Sequence, residues 1–141
     1  MSDIAAFYKQ VIQKYNQGSA GRDQPIKATH QARADNPLCG DEVELRLCVE
    51  AKTVTDAAYS GQCCAICNAS AAMLCSHIRG MPMLASQDLA RDLIGQLADS
   101  SAGQLLPADL QALLAVRQYP VRVQCAALPW RAMLDAMEPA G

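Results

Sequence analysis

The alternation of residue types over residues 42–50 constrains the fold of this chain most strongly. Apolar residues occupy every second position there, at Val43, Leu45, Leu47 and Val49. Successive side chains of a strand point to opposite faces of its sheet. One face of this strand therefore lies on a core and the other in water, which is typical of an antiparallel sheet.

Further extended segments are predicted on both sides of this strand. Residues 53–60 are the expected partner strand after a short turn at Ala51-Lys52, and GQCC, residues 61–64, is expected to be a third strand or its end. The polar stretch that runs to Asp35 is predicted to be a loop with one short extended piece. YPVRVQC, residues 119–125, is also predicted to be extended.

Helical periodicity covers most of the remaining chain. Helices are predicted over residues 3–17 and over residues 65–79, the second ending at Gly80. A third helix is predicted to begin at a Ser86 N-cap, and a fourth to run from Pro107 through Val116. The DSSAGQ stretch between these two is predicted to be a loop. A final helix carries Trp130, and Pro129 is placed in its first turn because an interior proline costs about 3 kcal/mol. The order predicts one α+β domain, residues 1–141, with helices gathered on one face of a small antiparallel sheet.

Charge and cysteine content narrow the possible functions. The net charge is −2 and the lysines and arginines are scattered, so the sequence shows no basic cluster that would bind nucleic acid or a membrane surface. Neither a membrane-spanning run nor a secretory signal is recognisable, so a cytoplasmic protein is expected. Seven cysteines in a reducing compartment indicate metal-binding, catalytic or buried free thiols rather than a disulfide framework.

The stretch NPLCGD, residues 36–41, places a thiol and a carboxylate two residues apart, at Cys39 and Asp41. Residues i and i+2 share one side of an extended chain, so both can face one metal ion. The alternative is a turn, since Pro, Gly and Asp are residues that turns favour. Cys64 and Cys125 each precede a predicted helix, where the helix dipole favours thiolate. Together they form a Cys3Asp set suited to zinc.

The other cysteines and both histidines have simpler interpretations. Cys48 lies mid-strand and Cys75 within a helix, and each is interpreted as an ordinary residue without a site role. His30 in a polar loop and His77 in a helix are interpreted as structural or solvated. CAIC, residues 64–67, matches the C-x-x-C of dithiol redox enzymes, although no parallel βαβ unit is predicted around it.

Three blocks of the sequence resemble the signatures of the U-type iron–sulfur cluster assembly proteins, the superfamily of IscU, the N-terminal part of NifU, and SufU. These are NPLCGDEVELRL, GQCCAICNASAAMLCSHIRG and YPVRVQCAALPWRAML, and the resemblance extends over nearly the whole chain. It implies a three-stranded sheet with helices on one face. The cysteines and aspartate of the family then fall on Cys39, Cys64, Cys125 and Asp41.

Two features are similar to the SufU branch in particular. Gln124 stands where IscU proteins have a histidine, and the long 81–120 segment matches an insertion of SufU proteins. The resemblance implies a zinc-bound carrier that receives persulfide sulfur from a SufS-type cysteine desulfurase and passes it to downstream cluster assembly proteins. Cys125 is then the sulfur acceptor, and Arg122 matches an arginine beside the site. At most such a protein is a zinc-dependent sulfurtransferase; otherwise it is a non-enzymatic carrier.

Departures from the family pattern leave alternatives open. Cys63 replaces a family glycine and Cys67 a family serine, so disulfides, alternative ligation or a different metal load become possible. KYNQGSAG, residues 14–21, lacks the family's His-Tyr and Asn-Pro, which weakens the inference about partner docking. The alternatives are direct assembly of a [2Fe–2S] cluster, as in IscU, and a binding protein whose zinc is purely structural.

Overall fold

The computed structural model describes residues 2–18, 21–99 and 106–138, with the side chains of the first helix described for residues 9–17. The elements along the chain are α1 (Ser2–Gly18), β1 (His30–Asn36), β2 (Asp41–Glu50), β3 (Thr53–Ser60), α2 (Ala65–Ile78), α3 (Met83–Ala98), α4 (Ala108–Leu113), a 3-10 turn (Leu114–Gln118) and α5 (Pro120–Met137). No helix among these residues is both long and apolar enough to cross a membrane.

The three strands form one antiparallel sheet in the order β1-β2-β3. The alternation in β2 predicts its orientation correctly: Val43, Leu45 and Leu47 are buried, whereas the residues between them are partly exposed. The series of inward-facing residues begins at Asp41, two residues before Val43, the first residue of the apolar pattern. The strand therefore turns a carboxylate toward the interior at its first residue.

Helices cover the buried face of this sheet. Helix α5 packs against β1 and β2, α2 packs against β3 and α5, and α3 packs against α5. The predicted α+β class with a three-stranded antiparallel sheet is confirmed. The central position of α5 matters for the site, because this helix carries Cys125.

Strand β1 lies where the polar sequence predicts mainly a loop, so His30 lies at the start of a strand rather than in a loop. The apolar residues at the inward positions of β1 are only the small Ala32 and Ala34, and its outward positions are polar. Such a strand lacks the β-branched and aromatic residues by which strands are recognised. Its pairing with β2, Asn36 opposite Asp41, stabilises it in the folded protein.

Two extended segments of the prediction are wrong. GQCC is irregular chain after β3, tied to β2 by a 2.8 Å hydrogen bond from the Glu42 N–H to the Gln62 carbonyl. YPVRVQC is helical, because α5 already begins at Pro120, where a proline fits the first helical position. Cys125 therefore lies inside a helix and not ahead of one.

Pro129 consequently lies in the interior of α5, against the prediction that it occupies the first turn. A proline at this position cannot donate to the carbonyl of Cys125 four residues earlier. Tertiary contacts hold this part of the helix: the buried Ser70 hydroxyl donates to the Ala126 carbonyl at 2.6 Å, and the Trp130 indole N–H donates to Ser70 at 2.9 Å. The local cost of the proline is offset by packing that the sequence pattern does not reveal.

The predicted Ser86 N-cap is also wrong. Helix α3 begins at Met83 after Pro82, and Ser86 is buried within it, where its hydroxyl donates to the Met83 carbonyl at 2.7 Å. The helix predicted from Pro107 is present as α4, with the 3-10 turn replacing its last part. The predicted DSSAGQ loop lies outside the described residues except for Asp99.

A small polar cluster joins α1, α2 and α4. The Asp109 carboxylate accepts hydrogen bonds from the Tyr15 hydroxyl and from the His77 imidazole, the latter at 2.8 Å. Burial raises the pKa of Asp109, but the bonds from His77 and Tyr15 outweigh it and lower the pKa to about 2. His77 is thus structural, as its position in the helix suggests.

We expect Asp109→Ala to lower the free energy of unfolding at neutral pH by about 2 kcal/mol, because the carboxylate is bound more favourably in the folded protein. The folded pKa lies below the ordinary value of 3.8, so this contribution is present above that pH and is lost as the pH falls toward 2. Urea unfolding at several pH values measures it. Asp88→Ala, at an exposed carboxylate of α3, is the control and should change little.

Candidate metal and thiol site

The turn between β1 and β2 presents the first candidate ligand. The Asn36 carbonyl accepts a hydrogen bond from the Gly40 N–H at 2.8 Å, and the Asn36 side-chain oxygen accepts one from the Leu38 N–H at 3.2 Å. Gly40 has a φ of +75°, which glycine adopts without strain. NPLCGD is therefore a turn, and Cys39 is exposed within it rather than in an extended entry to the strand.

The same turn brings the thiol and the carboxylate together. Cys39 Sγ lies 3.1 Å from Asp41 Oδ2. Helix α5 adds Cys125, whose buried Sγ lies 3.2 Å from Cys39 Sγ. Ligand atoms of these three residues lie within 4.8 Å of one another, a group able to hold a metal ion. The turn and the metal-site interpretations of Cys39 and Asp41 are thus compatible.

Cys64, the remaining candidate ligand, forms the N-cap of α2. Its backbone N–H donates to Asp41 Oδ1 at 2.7 Å, and its Sγ accepts from the Cys67 N–H at 3.4 Å. The thiol also contributes to lowering the pKa of Asp41 and to raising the pKa of Cys125. It nevertheless falls outside the compact group of three, so the structure brings Cys39, Asp41 and Cys125 together and leaves Cys64 at their border.

The electrostatics of the group are set by one buried carboxylate. Burial raises the pKa of Asp41, but hydrogen bonds from the Cys125 thiol, the Cys64 N–H and the Cys39 thiol outweigh it and lower the pKa. Burial also raises the pKa of Cys125 above its ordinary range, and the bonds to Cys39 and Asp41 raise it further. These partners therefore favour the ionised form of Asp41 and the protonated form of Cys125.

A close backbone approach positions the segment before α2. A Cβ built on Gly61 would lie 2.3 Å from the Glu42 carbonyl oxygen, and the φ of this residue is +123°. Only glycine lets the chain leave β3 along the start of β2 and present Cys63 and Cys64 beside Asp41. The result is an open pocket of about 420 Å³ lined by Arg22, Cys39, Gly40, Asp41, Gly61, Gln62, Cys63 and Cys64.

Arg22 was missed by the sequence analysis. A bridge between Arg22 and Tyr59 ties the 21–23 segment to β3, with the Tyr59 N–H donating to the Gly21 carbonyl at 2.9 Å. Arg22 lines the pocket beside Cys63, and its positive charge adds to the effect of the Cys67 thiol in lowering the pKa of Cys63. The residue stands in a polar stretch without periodicity, so no sequence signal identified it.

Arg122 and Gln124 lie in the first two turns of α5. Arg122 is exposed, and its backbone N–H donates to the Tyr119 carbonyl at 2.8 Å. The side-chain oxygen of Gln124 accepts a hydrogen bond from Arg131 at 3.0 Å. Arg22 lines the pocket beside Cys39 and Asp41, and neither Arg122 nor Cys125 lines it.

The remaining cysteines differ in their surroundings. The Sγ of half-buried Cys63 donates to the Glu42 carbonyl at 3.5 Å, and the neighbouring thiol of fully buried Cys67 lowers the pKa of Cys63, whereas Cys63 and burial raise the pKa of Cys67. Cys75 is buried in α2, where burial raises its pKa to about 12, and Cys48 is half-buried on β2. The C-x-x-C pair Cys64–Cys67 is joined by a hydrogen bond from the Cys67 N–H to Cys64 Sγ at 3.4 Å.

The fold and the site together define a small α+β domain with cysteines and one aspartate gathered where a hairpin meets two helices. The sequence model of the family described as NifU-like N terminal domain matches residues 7–126, and the chain belongs to this family.

Similar proteins agree with this assignment. The chain is 28% identical over 136 residues to the zinc-dependent sulfurtransferase SufU of Bacillus subtilis, covering 94% of this chain and 90% of that protein. It is 28% identical over 135 residues to the iron-sulfur cluster assembly scaffold protein IscU of Thermotoga maritima, covering 93% and 92%. The fold is shared with FiSufU from Fervidobacterium islandicum at a TM-score of 0.82 and 23% identity, covering 94% and 98%.

We expect Gly61→Ala to lower the free energy of unfolding by about 2 kcal/mol or more, because the new methyl group meets a backbone carbonyl and the positive φ is strained. Gly95→Ala is the matched control: it lies in α3 with open space around its Cβ, and alanine there should stabilise by up to about 1 kcal/mol. Urea unfolding compares the two. A Gly61→Ala variant as stable as the parent would contradict the close approach.

Proposed function

We propose that this protein acts in iron–sulfur cluster biogenesis as a zinc-bound sulfur acceptor and carrier. One observation carries the proposal: the Cys39 thiol lies 3.2 Å from Cys125 Sγ and 3.1 Å from the Asp41 carboxylate, and the Cys64 N–H donates to that carboxylate. Family membership supports the cluster biogenesis role, and the similarity to a zinc-dependent sulfurtransferase supports the carrier function.

The donor set fits zinc. Thiolates and one carboxylate are ligands that zinc takes in proteins, and Cys39, Asp41 and Cys125 already converge, with Cys64 beside them. A bound zinc ion would hold these thiols deprotonated and ready for exchange. Asp41 is the hardest of the four ligands and therefore the one expected to yield its position most readily.

Cys125 is the proposed sulfur acceptor. Its sulfur attacks the outer sulfur of a donor persulfide, a new S–S bond forms on Cys125, and the donor cysteine leaves as a thiol. Because Cys125 is 1% exposed, the exposed Cys39 thiol or the Asp41 carboxylate beside it must move to admit the donor. Arg22 at the edge of the pocket supplies a positive charge toward an incoming persulfide anion.

The proposed donor is a cysteine desulfurase of the SufS type, and the proposed recipients are downstream cluster assembly proteins in the cytoplasm. The net charge of −2 offers no basic surface for nucleic acid. Exposed apolar side chains lie at the tip of the hairpin and at the start of α5, namely Leu38, Tyr119 and Val121. Their position near the site supports docking of another protein at this end of the molecule.

Sulfur transfer tests the role of Cys125. With a cysteine desulfurase and sulfur-labelled cysteine, we expect the parent to gain labelled sulfur and Cys125→Ala to lose nearly all of that uptake. Cys75→Ala is the matched control, because it also removes a buried helical thiol but lies outside the site. Unchanged labelling of Cys125→Ala, with its fold intact by circular dichroism, would refute the assignment.

Metal and acid-labile sulfide content of protein purified without oxygen separates the carrier from its alternatives. Zinc without sulfide supports the carrier when labelled sulfur is also taken up, and it supports a purely structural zinc when no sulfur is taken up. Iron together with sulfide supports direct assembly of a [2Fe–2S] cluster.

Zinc affinity should rise steeply with pH. Burial and hydrogen bonding raise the pKa of Cys125, so its proton must be displaced when zinc binds. We therefore expect the zinc Kd to fall as pH rises from about 6 to 8, with release of protons to the buffer. Competition with a chromophoric chelator measures the Kd, and calorimetry in buffers of different ionisation enthalpy counts the protons. A pH-independent Kd would contradict thiol ligation.

A further inference from the structure

The side-chain amide of Asn36 has a buried nitrogen without a hydrogen-bond partner. Asn36 is the last residue of β1 and is 7% exposed. Its Oδ1 accepts a hydrogen bond from the Leu38 N–H, which fixes the orientation of the amide because only the oxygen can accept there. Among the residues that the structure describes, Asn36 Nδ2 is one of two buried side-chain nitrogens that donate to no other group. A buried donor without a partner is destabilising, and a ligand or a reacting group often uses such an atom.

Strand pairing places Asn36 beside the candidate metal site. Asn36 lies directly opposite Asp41 in the β1–β2 ladder, and both side chains are buried. Directly opposite residues of an antiparallel pair share one face of the sheet, with their Cβ atoms about 5 Å apart. The ligand atoms of Cys39, Asp41 and Cys125 all lie within 4.8 Å of one another. The unpartnered N–H groups of Asn36 therefore belong to the immediate surroundings of these ligand atoms.

Cys125 is the cysteine of the site that lies on the helix covering β1. Cys39 is exposed in the turn, and Cys64 caps α2, which packs against β3 at the opposite edge of the sheet. Helix α5 packs against β1 and β2, and its Cys125 is 1% exposed. Asn36 and Cys125 thus share the buried layer between the sheet and α5, where water does not compete for the donor.

We propose that Asn36 is a positioning residue that donates an N–H···S hydrogen bond to Cys125 when this cysteine is a thiolate. The thiolate is the form in which cysteine binds metal and attacks sulfur. A hydrogen bond to an ionised group is roughly twice as strong as one between neutral groups, so the amide favours the thiolate over the thiol. The inference rests on the proposed function, in which Cys125 ligates zinc and accepts sulfur.

Such a hydrogen bond changes the ligating sulfur itself. An N–H donor withdraws electron density from the sulfur and fixes its orientation toward the metal. Loss of the donor should therefore weaken metal binding and move sulfur-to-metal charge transfer to lower energy. The other role of Asn36, which is to accept the Leu38 N–H in the turn, affects stability but not the electronic state of a ligating sulfur.

The test uses the protein loaded with Co²⁺, which takes the place of zinc and reports thiolate ligation through a charge-transfer absorption band. Asn36→Leu keeps the approximate shape of the side chain and removes its N–H groups. We expect its band to move to longer wavelength and its zinc Kd, measured by chelator competition, to rise about tenfold or more. Asn36→Asp keeps an oxygen for the Leu38 N–H and should shift the band in the same direction if Asn36→Leu fails to fold.

Two further variants assign the effect to Cys125. In a Cys125→Ala background, the charge transfer from the remaining thiolates should not respond to Asn36→Leu. Asn68→Leu is the matched control, because it alters another buried asparagine, whose Oδ1 accepts from the Tyr59 hydroxyl at 2.7 Å and whose Nδ2 donates to Asn16. This control should lower stability and leave the Co²⁺ band unchanged.

Each outcome decides between the hydrogen bond and the carrier function. The hydrogen bond is overturned if Asn36→Leu leaves the band and the zinc Kd unchanged, if the shift persists without Cys125, or if Asn68→Leu shifts the band equally. The carrier function stands in those cases when the parent takes up labelled sulfur. A parent that shows the Asn36 effect but takes up no sulfur keeps the hydrogen bond and contradicts the carrier. A parent without a thiolate-to-Co²⁺ band contradicts both.

Discussion

The buried carboxylate of Asp41 is the constraint on which the site depends. It begins the inward series of β2, where a charged group without partners would be costly. The structure provides partners from three directions: the Cys39 thiol from the turn, the Cys125 thiol from α5, and the Cys64 N–H at the start of α2. The three segments that carry Cys39, Cys64 and Cys125 therefore converge on the Asp41 carboxylate. This convergence orders the site independently of a bound cation.

Position relative to this carboxylate divides the thiols into two sets. Cys39, Cys125 and Cys64 contact Asp41 and suit exchangeable metal ligation. Cys63 lines the pocket beside Cys39 and Asp41 but does not belong to that group, and Cys67 is fully buried.

Much of the fold and of the site could be predicted from local pattern. The alternation in residues 42–50 gives both the strand and its buried face, and the positive φ values of Ala51 and Lys52 match the turn expected there. Strand β1 was largely missed because alanine is its main inward residue, so its stability comes from pairing with β2. The prediction of an extended YPVRVQC segment is wrong because β-branched residues and an interior proline disfavour a helix locally. Tertiary hydrogen bonds that involve Ser70 and Trp130 stabilise helix α5 in the folded protein.

The sequence by itself determined the α+β class, the orientation of β2 and the candidate residues Cys39, Asp41, Cys64 and Cys125, because period-2 alternation and the chemistry of thiol and carboxylate are local properties. Only the tertiary structure decided which of these residues meet, and that Arg22 lines the pocket beside Cys39, Asp41 and Cys64. Those facts depend on backbone approach and helix packing between segments far apart in the chain. Spacing along the sequence carries no information about them.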